Sequence, residues 1–127
     1  MTLVVEPLNS RECNFINSLD EGAELVAACG HAAVRLLADI YHMLMDQEGP
    51  DAILRHGALL SHVHIAEKEG RAFPGKHGED FGPYLRALNE IGYQGALSLE
   101  CGWSDLEKEA PIAIVSLRKQ LEMAGLK

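Results

Sequence analysis

Short apolar runs rich in β-branched residues alternate with longer helical patterns along the chain. Four such pairs follow one another at a spacing of about thirty residues, an order typical of parallel strands joined by helical crossovers. The sequence therefore predicts an α/β fold built from four βα units. The predicted strands cover 2–8, 33–40, 58–66 and 95–100, and the predicted helices cover 19–30, 43–57, 81–93 and 105–126.

Two segments depart from this simple pattern. The helical segment 43–57 is interrupted by Gly49 and Pro50, so we expect two helices there, the second starting near Pro50. The segment 68–80 is a long polar stretch that contains three glycines and a proline. Connections of this length in a compact domain often carry function, so we expect a functional loop.

Length and charge limit what the chain can do. Its 127 residues suffice for one domain without disulfide bonds, and we predict a single domain over residues 1–127. The net charge is −8 and the basic residues are scattered, which argues against nucleic-acid and anionic-membrane partners. No apolar run approaches the ~20 residues of a membrane span, and the N-terminus lacks the basic region of a secretory signal. We therefore expect a cytoplasmic location.

The three cysteines are Cys13, Cys29 and Cys101. Their odd number and irregular spacing favour reduced thiols over a disulfide framework. A zinc site that combines Cys13 or Cys101 with histidines is an alternative, but no Cys-x-x-Cys pair supports it.

Each predicted strand carries, at or near its end, a side chain that can bind a cation. These side chains are Glu6, Asp39, His64 and Glu100. In parallel α/β folds the carboxyl ends of the strands lie on one face, so we expect the four side chains to meet there. An unpaired buried carboxylate is costly, and one divalent cation would satisfy all three acids. Three carboxylates and one imidazole suit Mn²⁺, Mg²⁺ or Co²⁺ better than Zn²⁺.

Any one of these residues, taken alone, is more often an ordinary solvated residue at a strand end. The metal hypothesis depends on all four in register. A second set of polar side chains follows the strand ends and consists of Glu12, His42 and Arg71. An acid, an imidazole and a guanidinium around a metal could hold the hydroxyl and carbonyl groups of a small polyol. We expect His62 to face the same side as His64, one layer deeper, as a core or supporting histidine.

Four segments carry a family resemblance: "EPLNSRECNFIN", "LADIYHM", "HVHIAEKEGRAFPG" and "EIGYQGALSLE". In this order they resemble the second half of the xylose isomerase-like barrels. More narrowly, they resemble the sugar phosphate isomerase/epimerase group, whose members include ketose 3-epimerases and hydroxypyruvate isomerases. The resemblance implies strands five to eight of a (β/α)8 TIM barrel, with parallel strands and outer helices.

The resemblance also implies roles for individual residues. The ligands of one divalent metal carry over by motif to Glu6, Asp39, His64 and Glu100. The acid/base pair carries over to Glu6 and Glu100, and the substrate-binding positions to Glu12, His42 and Arg71. The implied reaction is the isomerisation or epimerisation of a small sugar or hydroxy-carbonyl compound by proton transfer through an enediolate.

The chain is short for this family. A full barrel needs eight βα units and ~250 residues, whereas four units are predicted here. An open half-barrel would expose two strand edges and an inner face that we expect to be apolar. We therefore expect a homodimer, or a partner chain that supplies the other half-barrel, unless the chain is a truncated product. The competing hypothesis is a non-catalytic half-barrel that acts as a sugar-binding, metal-binding or assembly module.

Overall fold

The structure is a computed structural model, and it describes residues 1–126. One sheet contains four parallel strands in the order β1-β2-β3-β4. The strands are β1 (Leu3–Val5), β2 (Val34–Asp39), β3 (Leu60–Ile65) and β4 (Ala96–Leu99). The helices are α1 (Leu19–Cys29), α2 (Ile40–Met45), α3 (Asp51–His56), α4 (Gly82–Glu90) and α5 (Leu106–Ala124). The predicted α/β fold of four βα units is confirmed, and the arrangement is that of part of a TIM barrel.

The helices begin and end where local side chains satisfy free backbone groups. Ser18 accepts the backbone N–H of Glu21 at the start of α1, and Gly30 ends that helix with a φ of 60°. The interruption at Pro50 separates α2 from α3, as predicted. Within residues 1–126, no helix combines the length and the apolar character that crossing a membrane requires.

The core lies between the sheet and its outer helices. Alternate strand residues point toward the helices, and those of the two central strands are fully buried: Leu36, Ala38, Val63 and Ile65. Helix residues such as Ile53, Leu85 and Leu88 cover them and are themselves fully buried. Each such side chain contributes about 1.5–3 kcal/mol to the free energy of unfolding. The chain's own helices therefore cover the central strands on this side of the sheet.

The opposite, inner face of the sheet is less apolar than we expected. Strand pairing places His62 beside Leu37 and Ala96, and Ser98 beside His64. His62 and Ser98 are hydrogen-bonded through Nε2 and Oγ at 2.9 Å. The prediction of an apolar inner face was therefore wrong, because polar side chains alternate with apolar ones there and satisfy one another.

Two other segments differ from the predictions. The first strand covers only Leu3–Val5 instead of 2–8, because it is an edge strand and Pro7 has no N–H to donate to the sheet. The segment 68–80 is not a uniformly polar loop. It contains a 3₁₀ turn (Glu69–Arg71), and Phe73 is buried. A parallel bridge between Ala72 and Gly102 continues the pairing of β3 with β4 beyond the strand ends.

A close contact between Gly57 and Ile91 lies shortly before β3, the strand that carries both histidines. Gly57 has a φ of −52°, at which Gly→Ala ordinarily stabilises a protein by about 0.4–1 kcal/mol. Here a Cβ would lie 2.7 Å from Cδ1 and 3.0 Å from Cβ of Ile91. We predict that Gly57→Ala lowers the free energy of unfolding, measured in urea, by about 1–3 kcal/mol because of this overlap.

The matched control is the same substitution in an Ile91→Gly background, which removes all three atoms that lie nearest to the added Cβ. There Gly57→Ala should be neutral or stabilising. A gain in stability in both backgrounds would contradict the packing described for Gly57.

Candidate metal centre

Sheet register brings the predicted cation-binding residues to one end of the sheet. Asp39 pairs with His64, and His64 pairs with Ser98, two residues before Glu100. Glu6 directly follows β1, and the Glu100 N–H donates to the Ile65 carbonyl at 3.3 Å, which continues the ladder. The four side chains thus leave four neighbouring strands at the same edge.

Their ligand atoms lie close together. One donor atom from each of four residues falls within 4.8 Å of every other donor: Glu6, Asp39, His64 and Glu100. The Nδ1 atom of His64 is 3.0 Å from a Glu6 carboxylate oxygen, 3.4 Å from one of Glu100 and 3.9 Å from Oδ2 of Asp39. We call this set the four-residue cluster.

Asp39 is the most buried member of the four-residue cluster, with 1% of its surface exposed. Its Oδ1 accepts the backbone N–H of Tyr41 at 2.8 Å and so caps α2, while Oδ2 faces the cluster. Burial raises the pKa of Asp39 to about 7, and the negative charges of Glu6 and Glu100 act in the same direction. The Tyr41 N–H and the charge of Arg71 oppose this rise in the pKa.

Arg71 adds a positive charge to the rim. Its guanidinium lies 3.2 Å from Oδ2 of Asp39 and contacts the carboxylate of Glu100, while its Nε donates to the Glu100 carbonyl at 3.2 Å. It also lies over the ring of Tyr41, 4.6 Å from the centroid. Arg71 is therefore held from two sides, by acids and by an aromatic face.

His42 and Glu12 border the cluster on the side of β1. The Nδ1 atom of buried His42 accepts the backbone N–H of Asn9 at 3.1 Å, and its Nε2 lies 3.6 Å from Oδ2 of Asp39. Burial lowers the pKa of His42, and the charge of Arg71 lowers it further. The Asn9 side chain donates to Glu12 at 2.9 Å, and Glu12 is 4.0 Å from Arg71. The three predicted substrate-binding residues therefore surround the cluster.

His62 does not join the cluster, although it lies on the same face. Its ring meets that of His64 edge to face, with 5.0 Å between centroids. Burial lowers the pKa of His62, and the neighbouring His64 lowers it further. Together with the Ser98 hydrogen bond, these contacts support His64 from below, in the position expected from the sequence.

Three residues that matter to the site were not singled out from the sequence. Asn9 is buried and links His42 to Glu12, and Tyr41 supports both Asp39 and Arg71. Glu67 is fully buried below the loop that carries Arg71. The sequence does contain an indication for Glu67: this acid follows the apolar Ile65 and Ala66 at the end of a predicted strand, directly before a glycine-rich stretch. Asn9 and Tyr41 carry no comparable signal, because their contacts depend on how loops fold together.

The donors fit a hard divalent cation. Three carboxylates and one imidazole nitrogen within 4.8 Å match the oxygen-rich sets that bind Mn²⁺ or Mg²⁺. The three cysteine thiols are free and lie outside this cluster. Burial raises the pKa of Cys101 to about 11, so its thiol stays protonated at neutral pH and is a poor ligand.

Comparison with known proteins gives a consistent family. The family model described as the xylose isomerase-like TIM barrel matches residues 1–120. A D-psicose 3-epimerase of Enterocloster bolteae is 33% identical over 101 residues, which are 79% of this chain and 33% of that protein. An L-ribulose 3-epimerase of Mesorhizobium japonicum is 31% identical over 110 residues, which are 86% of this chain and 37% of that protein.

Solved structures agree with this result. The structure of an L-ribulose 3-epimerase superposes with a TM-score of 0.88 at 26% identity, and the match covers 98% of this chain and 48% of that chain. A 3-keto-D-glucoside 4-epimerase from E. coli superposes with a TM-score of 0.84 at 26% identity, covering 94% of this chain and 46% of that one. The chain thus spans about half the length of these solved structures. The resemblance seen in the sequence is confirmed, and the chain belongs to the xylose isomerase-like TIM barrel family.

Proposed function

We propose that this chain carries the metal centre of a divalent-metal-dependent isomerase or epimerase that acts on a small sugar or hydroxy-carbonyl compound. One observation carries the proposal: four cation-binding side chains from four successive strand ends lie within 4.8 Å of one another. The matched relatives are named as sugar epimerases, which supports the same class of reaction. The oxygen-rich donors favour one Mn²⁺, Mg²⁺ or Co²⁺ ion over Zn²⁺.

Glu6 and Glu100 are the proposed acid/base pair. They follow β1 and β4, the two edge strands, and so approach the centre from opposite sides. A bound divalent cation would polarise the carbonyl and hydroxyl oxygens of a ketose and make the adjacent C–H proton easier to remove. One carboxylate takes that proton to give an enediolate, and an acid returns a proton. Return to the same carbon from the opposite face is epimerisation, and return to the neighbouring carbon is isomerisation.

Glu12, His42 and Arg71 are proposed to hold the sugar. Arg71 can donate hydrogen bonds to substrate oxygens, and Glu12 can accept them from hydroxyl groups. Neutral His42 accepts at Nδ1 from Asn9, so its Nε2–H points toward the centre as a donor. These groups lie beside the cluster and have no proposed part in the proton transfer.

The competing proposal is a non-catalytic half-barrel that binds a metal or a sugar, or that serves in assembly. The chain spans about half the length of the solved relatives. The other half of a barrel would supply additional walls of the pocket. Metal binding without proton transfer would be the signature of this alternative.

The exposed apolar residues favour closure by a second half-barrel. Leu3 on β1 is 57% exposed, and Phe15, in the segment that joins β1 to α1, is also exposed. At the other edge, a groove beside β4 is lined by Tyr93, Leu97 and Leu121. Parallel strands are stable when both faces and edges are covered. We propose that a second copy covers these edges in a homodimer, with a separate partner chain as the alternative.

The first prediction concerns metal binding. Chelator-treated protein should gain thermal stability on addition of Mn²⁺, because the ion binds the native state and relieves repulsion among carboxylates. At 100 times the dissociation constant the gain is about 2.7 kcal/mol, which corresponds to a Tm increase of roughly 10 °C. Glu100→Gln should reduce the shift by at least half, whereas Glu24→Gln, on the exposed face of α1, should not. A Tm that does not change on addition of Mn²⁺, Mg²⁺ or Co²⁺ would contradict the metal centre.

The second prediction concerns catalysis. In D₂O with Mn²⁺, ketopentoses or ketohexoses should incorporate deuterium at the carbon beside the carbonyl, as seen by proton NMR. Glu6→Gln should slow this incorporation by about a hundredfold or more, because it removes a proton acceptor. Glu24→Gln should leave the rate unchanged. Protein that binds Mn²⁺ but exchanges no substrate proton would favour the non-catalytic alternative.

The third prediction concerns assembly. Sedimentation at micromolar concentration should give twice the chain mass of 13.9 kDa. The dissociation constant of the dimer should be lower when Mn²⁺ is present. An interface of about 2,000 Å² or more is expected for such an obligate pair. Leu3→Lys on the β1 edge should weaken association, whereas Leu54→Lys on α3 should not, although Leu54 is also exposed (42%). A compact 13.9 kDa monomer would contradict closure by a second copy.

A further inference from the structure

We propose that Glu67 is a positioning residue, whose buried carboxylate folds the segment 68–79 around itself and thereby holds Arg71 against the four-residue cluster. The inference rests on the proposed function only in the role that it gives to Arg71. The burial, the hydrogen bonds and the backbone geometry that support it are independent of any reaction.

The carboxylate of Glu67 collects backbone donors from one loop. Glu67 is 0% exposed. Its Oε1 accepts the N–H groups of Gly75 at 2.7 Å and Gly78 at 3.1 Å, and its Oε2 accepts that of His77 at 2.7 Å. The N–H of Glu79 lies 3.4 Å from Oε1. None of the ion pairs within residues 1–126 involves Glu67, so backbone dipoles satisfy this carboxylate.

The loop takes this shape through unusual backbone conformations. Gly75 and Gly78 have φ values of 98° and 84°, which turn their N–H groups inward and which glycine adopts without strain. Gly70 has a φ of 65°, and Arg71, which is not glycine, has a φ of 49°. A left-handed arginine is a costly conformation that persists only where its surroundings hold it. The surroundings of Arg71 therefore have to be rigid.

Glu67 contacts both sides of the loop, since its backbone N–H holds the turn that contains Arg71 and its carboxylate holds the segment 75–79. The N–H of Glu67 donates to the Ala72 carbonyl at 2.8 Å, which closes the turn that contains Arg71. The Arg71 carbonyl accepts the N–H of Gly102 at 3.0 Å, which anchors the turn to the segment after β4. The carboxylate thus fixes the far side of the loop, and the sheet fixes the near side. Loss of the carboxylate should release Arg71 without unfolding the sheet.

The experiment follows the Nε–H group of Arg71 by proton–nitrogen NMR, with the signal assigned by its loss in Arg71→Lys. This group donates to the Glu100 carbonyl at 3.2 Å, so its exchange with water should be slow in the natural protein. Glu67→Gln should speed that exchange by about tenfold or more, while the amides of Val63 and Ile65 in β3 remain protected. The matched control is Glu69→Gln, in the same loop but 77% exposed, which should change nothing. Unchanged Arg71 exchange in folded Glu67→Gln protein would overturn the proposal.

A double-mutant cycle separates positioning from a general loss of structure. The Arg71 guanidinium contacts carboxylates of Asp39 and Glu100, so Arg71→Gln should tighten Mn²⁺ binding. Glu67→Gln should also tighten Mn²⁺ binding by about threefold or more, but only when Arg71 is present. The same effect of Glu67→Gln in both backgrounds would overturn the proposal. Absence of Mn²⁺ binding would contradict the proposed metal centre and leave the Arg71 exchange measurement to decide.

The natural protein alone also tests the proposal, should Glu67→Gln fail to fold. The backbone amides of Gly75, His77 and Gly78 should exchange with solvent at least about tenfold more slowly than the amide of exposed Asp80, because a buried carboxylate accepts them. Equally fast exchange of all four amides in folded protein would overturn it.

Discussion

The parallel register between β2 and β3 is the constraint on which the rest of this structure depends. It sets Asp39 level with His64, and the pairing of β3 with β4 then brings Glu100 beside them. A slip of one residue would turn these side chains toward the helices and into the apolar core. The buried side chains on the helix face, such as Leu36 and Val63, fix the register by packing. Core packing on one face of the sheet therefore determines the chemistry at its edge.

Gathering three carboxylates at one point has an electrostatic cost. The raised pKa of Asp39 reflects that cost, since burial and the neighbouring acids both disfavour its charged form. Arg71 offsets part of it from the rim, held in place by Tyr41 and by its own loop. A divalent cation would offset the remainder. The same residues thus link loop order, charge balance and the proposed catalysis.

Much of this arrangement could be predicted from the sequence because it depends on periodicity. Strands that alternate with helices are typically parallel, and the ends of parallel strands share a face, so the pattern alone indicates where Glu6 and Glu100 lie. Glu67 could not be placed in this way, since its role depends on a loop whose glycine conformations leave little trace in the hydrophobic pattern. The polarity of the inner face was also predicted wrongly. His62 and His64, two residues apart on one strand, already indicated that polar side chains lie there. Alternate residues of a strand point to opposite faces of the sheet. The polarity of each face is therefore known only once the strand's residues have been assigned to their faces.

The most direct test of the central claim is pulsed electron paramagnetic resonance of the Mn²⁺-loaded protein. If the four-residue cluster binds the ion, the spectrum will show coupling to the nitrogen of one imidazole. His64→Gln will then remove that coupling, while His62→Gln, one layer deeper on the same face, will retain it. Nitrogen coupling that is absent in the natural protein, or that survives His64→Gln and disappears with His62→Gln, would contradict the account.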